Sequence, residues 1–326
     1  MRPSLLKHLF VVIFFSACAS SGRNDKPVIE SPADSGVPIQ PEIASDRKPS
    51  SLMDLPQTQN GGFVLSPGFY EAEFKTYCLQ PGTPDPSAGD AYFQGPVTGH
   101  RKEFVEAILL NSREKTEIPQ RNVQLLLWNV VRGSDYNKLS PTVQSDAAKL
   151  LTPRQIFQLR GGVWGAIKQV SSSTGLMNAN ADMQKLFNLG STYESIERMA
   201  VLREPSKVTK KGVKFDQWYK QTDNYYIRYF PVSYQKVRIQ VYVPDGLLDG
   251  ENKINGDYLV FDPTGQQAIP AYTNSQRLGI GAPVLDVVRV IIQINNRFPR
   301  SIPTKKAPEP STPKPPTNPK TGVPNT

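Results

Sequence analysis

The spacing of apolar residues changes once along this chain. Between residues 61 and 204 a short extended run, Phe69 to Tyr77, is followed by helical periodicity. His100 to Asn111 sets Phe104, Ile108 and Leu109 on one face, and Pro119 opens a second helix that runs through Gln124 to Val131 before Gly133 stops it. Ser140-Pro141 and Thr152-Pro153 each read as a cap followed by a helix-starting proline, and Ser191-Thr192-Tyr193-Glu194 begins a helix that carries Ile196, Met199 and Ala200 inward. From Val213 the period falls to two. Tyr225 to Pro231 and Lys236 to Val243 alternate, the latter with Val237, Ile239, Val241 and Val243 on one side, as a half-buried strand requires. Asp257 to Gly265 reads as a strand entering a turn, and Val287 to Ile294 as a last strand. The pattern therefore predicts an α+β fold, a helical assembly over 61–204 followed by an antiparallel β-sheet or sandwich over 205–300. The early strand can join that sheet and make one unit of the two.

Composition changes the picture at the two ends. The chain has 326 residues, 38% of them hydrophobic, which suffices for a sizeable core, but its 30 prolines cluster outside the periodic region. Residues 18–60 are rich in Ser, Pro, Asp and Gln, the composition of a disordered linker with an rms span of roughly 35 Å. Residues 301–326 read as an extended, Pro-rich disordered tail. The formal net charge of +9 is spread along the sequence, and no nucleic-acid-binding motif accompanies it. Solubility and attraction to anionic surface polymer account for it, so no nucleic-acid partner is expected.

Residues 1–17 join a basic start at Arg2 and Lys7 to the apolar run Leu9 to Phe15 and the small residues Ser16-Ala17, which reads as a secretory signal peptide. The ending Phe15-Ser16-Ala17-Cys18 resembles the bacterial lipobox, in which the cysteine is acylated, with palmitate among its chains, and becomes the first residue of the mature protein. That resemblance implies lipidation of Cys18, a membrane partner through the lipid and a place in the cell envelope. Ala19, where an aspartate would favour the inner membrane, implies the outer membrane, either periplasmic or surface-exposed. No later stretch is long and apolar enough to span a bilayer.

After that processing Cys78 is the one remaining free cysteine, in an oxidising compartment. It ends the early strand beside Tyr77, and a glutamine, Gln124, stands among Val123, Leu125, Leu126, Leu127 and Trp128 on a helix that should be mostly buried. A buried, unpaired carboxamide costs about 1–3 kcal/mol. Condensation with the thiol would remove that cost and the loose nucleophile together, provided the protein holds the two groups in contact and excludes water.

These residues resemble the thioester domains of bacterial surface adhesins, in which a Tyr-Cys dipeptide bonds to the glutamine of a Thr-Gln-x-Ala-Ile/Val-Trp motif. Tyr77-Cys78 matches the first element, and Val123-Gln124-Leu125-Leu126-Leu127-Trp128 keeps the glutamine and tryptophan at the family's separation, with Val123 and Leu126 in place of its threonine and alanine. Phe93-Gln94-Gly95-Pro96-Val97 is similar to the family's middle element, and the likeness spans about Phe69 to Gly133. The resemblance implies an internal Cys78–Gln124 thioester with Tyr77, Gln94 and Trp128 shaping its pocket. An amine or hydroxyl of a surface partner would attack the acyl carbon, with thiolate leaving. Capture of this kind happens once per molecule and is not turnover.

Other readings of the same residues remain open. Cys78 can be a small buried core residue, since free cysteine is among the most buried residue types, or the donor of an intermolecular disulfide. Trp218, Tyr219, Tyr225, Tyr226 and Tyr229 can form a polysaccharide-stacking face on the sheet, the basis of a noncovalent binding lipoprotein, although alternating aromatics are also ordinary strand formers. A Cys78–His100 hydrolase pair lacks a third member. One mature histidine and one free cysteine leave no expected zinc site, and no cofactor is expected. The acidic loop Asp245 to Asp257 misses an EF-hand register at Lys253 and Ile254 and reads as a solvated hairpin.

Overall fold

The computed structural model describes residues 41, 43, 47–87, 90–161, 182–183, 185–187, 189–207 and 217–284, with the backbone of 291–292. The expected signal peptide, Cys18, the Pro-rich tail and most of the expected last strand lie outside the described residues.

Eight strands make the principal sheet: β1 (Ser50–Ser51), β2 (Gly68–Cys78), β3 (Ala91–Gly95), β4 (Tyr219–Lys220), β5 (Tyr226–Ser233), β6 (Lys236–Val243), β7 (Gln267–Ala271) and β8 (Leu278–Pro283). Their order is β3-β7-β8-β2-β6-β5-β4, with β1 alongside β2. All neighbours are antiparallel except β1 and β2. The chain is thus α+β, but its element order is strands, helices, strands. The extended run that ends in Cys78 lies at the centre of the sheet and pairs with β6 over Lys75–Lys236 to Gly68–Val243. The two regions separated by periodicity at residue 205 share this sheet, because the alternation of β2 is the same as that of β6.

Strict alternation explains the register. Val237, Ile239, Val241 and Val243 are wholly buried, and Val237 stands opposite Phe74, Ile239 opposite Ala72 and Val241 opposite Tyr70. A slip of one residue would turn this set to the other side of the sheet. The opposite side carries Glu71, Glu73, Lys236, Arg238 and Gln240, where Gln240 donates to Glu71 at 2.9 Å and Lys236 to Glu73 at 3.0 Å. The sheet also curls until its ends meet. The Tyr229 hydroxyl of β5 donates to Gln94 Oε1 of β3 at 2.8 Å, and the Phe93 and Tyr219 rings lie 6.1 Å apart. Near-closure of this kind covers strand edges that would otherwise template aggregation.

Between β3 and β4 the chain forms helices α1 (Lys102–Asn111), α2 (Gln120–Arg132), α3 (Pro141–Leu150), α4 (Pro153–Leu159) and α5 (Tyr193–Ala200). Ser140 and Thr152 cap α3 and α4, the latter in a capping box with Gln155, and Thr192 caps α5. Pro119 stands one residue ahead of α2, and Gly133 ends that helix at φ 67°, a left-handed conformation that favours glycine. Helix α2 packs on β2, α1 and α3 and buries Val123, Leu126, Leu127, Trp128 and Val130. These residues and the strand interior belong to one continuous hydrophobic cluster.

The compositional boundary at residue 60 falls too late. Leu52, Met53 and Leu55 are buried, Ser50–Ser51 pairs with β2, and Gln57–Thr58 pairs with Phe63–Val64 in a second small sheet. Their polar neighbours conceal the apolar cluster from a composition reading. Replacing Leu52 by Ala should therefore lower unfolding free energy by about 2–5 kcal/mol in chemical denaturation, whereas a residue in a free linker would leave it unchanged.

Candidate functional site

The site begins where a strand loses its neighbour. On one side β2 pairs with β6, but that pairing starts at Lys236 opposite Lys75, so the last residues of β2 have no strand there. Thr76 N–H donates to Gln235 O at 2.9 Å, the final backbone bond on that side. Glutamines from α2 then take over. Gln120 Nε2 donates to Thr76 O at 3.0 Å and to Gln235 O at 2.8 Å. One helical turn on, Gln124 Oε1 accepts from Cys78 N–H at 2.8 Å and its Nε2 donates to Cys78 O at 3.0 Å. The carboxamide of Gln124 imitates a strand residue and satisfies both backbone groups of Cys78. Residues at i and i+4 share a helix face, which is why these two glutamines line up along the strand end.

The structure therefore brings together Cys78 and Gln124, 46 positions apart in sequence. Both are sealed from solvent, at 0% and 1% exposure. The thiol lies on the inward side of β2 with Thr76 and Phe74, all three fully buried. Burial pushes the Cys78 thiol up to about 12, against smaller opposing effects of the Trp128 indole N–H, the Gln80 backbone N–H and the Arg132 charge. The Trp128 N–H makes no hydrogen bond at ordinary distance, yet it lies close enough to the sulfur to favour the thiolate. Tyr77 faces the other side of the strand, where burial raises its phenol to about 12 and Ser112, at the end of α1, opposes that rise.

The other residues expected in the pocket divide. Trp128 faces the thiol. Gln94 does not adjoin it in the sheet: Cys78, Leu278, Ala268 and Gln94 stand in one register row, three strand spacings or about 14 Å apart measured along the curved sheet. Its amide is already engaged, accepting from Tyr229 and donating to Gln266 at 2.5 Å. Gln94 thus joins the sheet's ends instead of touching the Cys78–Gln124 pair. His100 is exposed ahead of α1 while Cys78 is sealed, so the two make no hydrolase pair. Of the aromatics expected to be exposed, Trp218, Tyr225 and Tyr229 are buried and Tyr219 and Tyr226 half-buried; Trp218 lies on the outward side of the sheet, edge-on to Phe69 at 5.8 Å with Arg228 over its ring at 4.4 Å. The acidic loop forms a hairpin of Lys253–Ile254 with Asp257–Tyr258, in which Asp249 accepts from the backbone of Glu251 and Lys253. Among the described residues no group of three or more His, Cys, Asp or Glu is arranged to hold a metal, and no helix is long and apolar enough to cross a membrane.

Sequence reasoning missed the roof of the site. The Trp128 ring stacks on Tyr193 at 5.8 Å and meets Tyr234 at 6.3 Å. The Tyr193 and Tyr234 hydroxyls are 2.8 Å apart, and Tyr234 donates to Glu197 Oε1 at 2.6 Å. Tyr193 and Glu197 stand at i and i+4 on α5, a spacing visible in the sequence, but only folding brings Tyr234 beneath them. Gln120, four positions before Gln124, was legible by the same spacing.

Compared with protein families, curated proteins and solved structures, the chain matches none.

The buried amide and thiol make a pH-dependent stability prediction for a Gln124→Leu variant, which keeps the thiol free. The unfolded thiol ionises near 9.0 and the folded one only near 12, so the unfolded state alone loses a proton between those values and stability falls as pH rises. The slope should be on the order of 1 kcal/mol per pH unit. The Cys78→Ala, Gln124→Leu double variant should keep the fall that buried phenols such as Tyr77 and Tyr219, raised to about 12, contribute, and lack only the thiol's share when denaturant midpoints are compared across that window.

Proposed function

We propose that this chain is a cell-envelope lipoprotein that captures a nucleophile covalently through an internal thioester between Cys78 and Gln124. The observation that carries the reading is the pair of hydrogen bonds holding the Gln124 carboxamide on the Cys78 backbone. Attack of a sulfur on an amide carbon needs proximity, a polarised carbonyl and a route for the leaving nitrogen. Cys78 N–H donates to the carbonyl oxygen on which negative charge would develop. The sulfur belongs to the same residue, so the attacking atom is confined to the neighbourhood of the carboxamide that residue's backbone holds. In the formation step the Sγ–Cδ bond forms, the Cδ–Nε2 bond breaks and the thiol proton leaves with nitrogen as ammonia. The high thiol pKa makes the thiolate scarce at neutral pH, and the Trp128 N–H, Gln80 N–H and Arg132 charge favour it locally.

Sealing also protects a bond that water would hydrolyse. A partner's amine or hydroxyl would attack Cδ, expel the sulfur and remain on Gln124 as an amide or ester. The signal and lipobox-like sequence at Cys18 support an envelope location and a lipid anchor, with Ala19 favouring the outer membrane.

Intact mass of protein made without lipid, with Cys18 replaced, should show loss of one ammonia relative to the sequence. Cys78→Ala and Gln124→Ala should keep full mass, and methylamine should add to the wild type alone. A full-mass wild type with a titratable thiol after unfolding refutes the bond. For the anchor, Cys18→Ser should abolish radiolabelled palmitate incorporation and move the protein from the membrane pellet to the soluble fraction.

A further inference from the structure

Cys78 and Gln124 face the interior, and the outward side of the sheet has a chemistry of its own. There β2 presents Glu71, Glu73 and Lys75, β6 presents Lys236, Arg238 and Gln240, and β5 presents Arg228, Phe230 and Val232. Cross-strand register sets Lys75 directly opposite Lys236, and Arg238 opposite both Glu73 and Phe230. Like charges directly opposite one another destabilise a sheet. Lys236 relieves part of this by donating to Glu73 at 3.0 Å. Lys75 has no such outlet: among the described residues its ammonium has neither an ion-pair nor a hydrogen-bond partner.

Arg238 is similarly unspent. Among the described residues its side chain donates no hydrogen bond, and it meets the Glu71 carboxylate only at 3.7 Å, where Glu71 already accepts from Gln240 at 2.9 Å. Its guanidinium lies over the half-buried Phe230 ring at 4.7 Å, and Arg228 lies over the same ring at 5.0 Å. Stacking uses the flat face of a guanidinium and leaves its edge, with the N–H donors in a fixed fork, for a planar anion. Beyond Phe230 on β5, Val232 is 59% exposed. Unspent positive charge, a forked donor and an apolar margin are complementary to a carboxylate-bearing chain with apolar C–H faces, which describes an acidic polysaccharide. An open cavity of about 210 Å³ beside β1, walled by Pro49, Ser51, Glu71 and Glu73, bounds the patch on its other side, and its carboxylates turn an anion toward β5 and β6. Phe69, Trp218 and Tyr242 are buried and Phe230 lies beneath two guanidinium groups, which disfavours the stacking of bases on open rings that single-stranded nucleic acid uses.

We propose that the outward patch of Lys75, Lys236, Arg238, Phe230 and Val232 binds a uronate-rich polysaccharide noncovalently. One sugar carboxylate sits in the fork of Arg238 and another between Lys75 and Lys236, two residues or about 7 Å further along the strand. The bound anion removes the repulsion between the two lysines, and Val232 packs on a sugar face. The patch lies on the side of the sheet away from the thiol, so this inference stands or falls independently of the thioester reading.

The test is isothermal titration of the whole chain, made without lipid by replacing Cys18, with hexagalacturonate as the probe. Binding should be measurable at low ionic strength and weaken as salt is added. Maltohexaose, which has the length without the carboxylates, should not bind, and hexaglutamate and a thymidylate hexanucleotide should bind at least tenfold more weakly. Arg238→Gln should weaken hexagalacturonate binding at least tenfold, and Arg238→Lys, which keeps the charge and loses the fork, should not restore it. Glu73→Gln, which frees Lys236, should tighten binding at least twofold, a gain that damage to the fold would not produce. Absence of hexagalacturonate binding, equal binding of maltohexaose, hexaglutamate or the oligonucleotide, an Arg238→Gln affinity equal to wild type, or unchanged or weaker binding by Glu73→Gln overturns the inference.

Discussion

The carboxamide of Gln124 against the backbone of Cys78 is the constraint on which this structure turns. The central strand outruns its neighbour by one hydrogen-bonding step, and the exposed step is buried under a helix. A buried peptide N–H and C=O without partners would cost about 1–3 kcal/mol each. A leucine at position 124 could fill the volume but leave both unpaired. One side chain with a donor and an acceptor at peptide-like spacing meets both demands, and a turn earlier the Gln120 amide nitrogen donates to the Thr76 and Gln235 carbonyls. Helix α2 is therefore locked in rotation and height relative to β2, which in turn fixes Trp128 against the thiol and the aromatic roof above it.

The rest of the molecule serves that placement. The sheet's near-closure through Tyr229 and Gln94 makes its interior continuous with the helix-facing cluster. The outward ladder of Glu71, Glu73, Lys236, Arg238 and Gln240 holds the same register from the solvent side. Arg113, buried against Asp262 and the Asn60 carbonyl, ties the end of α1 to loops preceding β2 and β7.

Much of the fold was legible because local signals were strong. The capped helix starts at Ser140, Thr152 and Thr192 and the period-two run of β6 all depend on short-range chemistry, and each appears within a residue or so of its reading. Element order was harder, since a single early strand with helices after it does not announce that later strands will flank it. The ordered segment around Leu52 was hidden by composition. In the site, Cys78, Gln124 and Trp128 were legible as a spacing of residue types, whereas Tyr234 and Glu197 depend on contacts between distant segments. Gln94 shows the opposite failure: the right residue type in the right neighbourhood, three strands away from the chemistry.

The 46-residue separation between strand end and helix gives the site a mechanical meaning as well. A covalent link at that point would close a ring enclosing β3, α1 and the turns between them. By the chain-entropy argument used for cross-links, a ring of this length removes about 4 kcal/mol of freedom from the unfolded chain. Discharge onto a partner opens the ring, so the molecule would be stiffest before it engages and would exchange an internal tether for an external one at the moment of attachment.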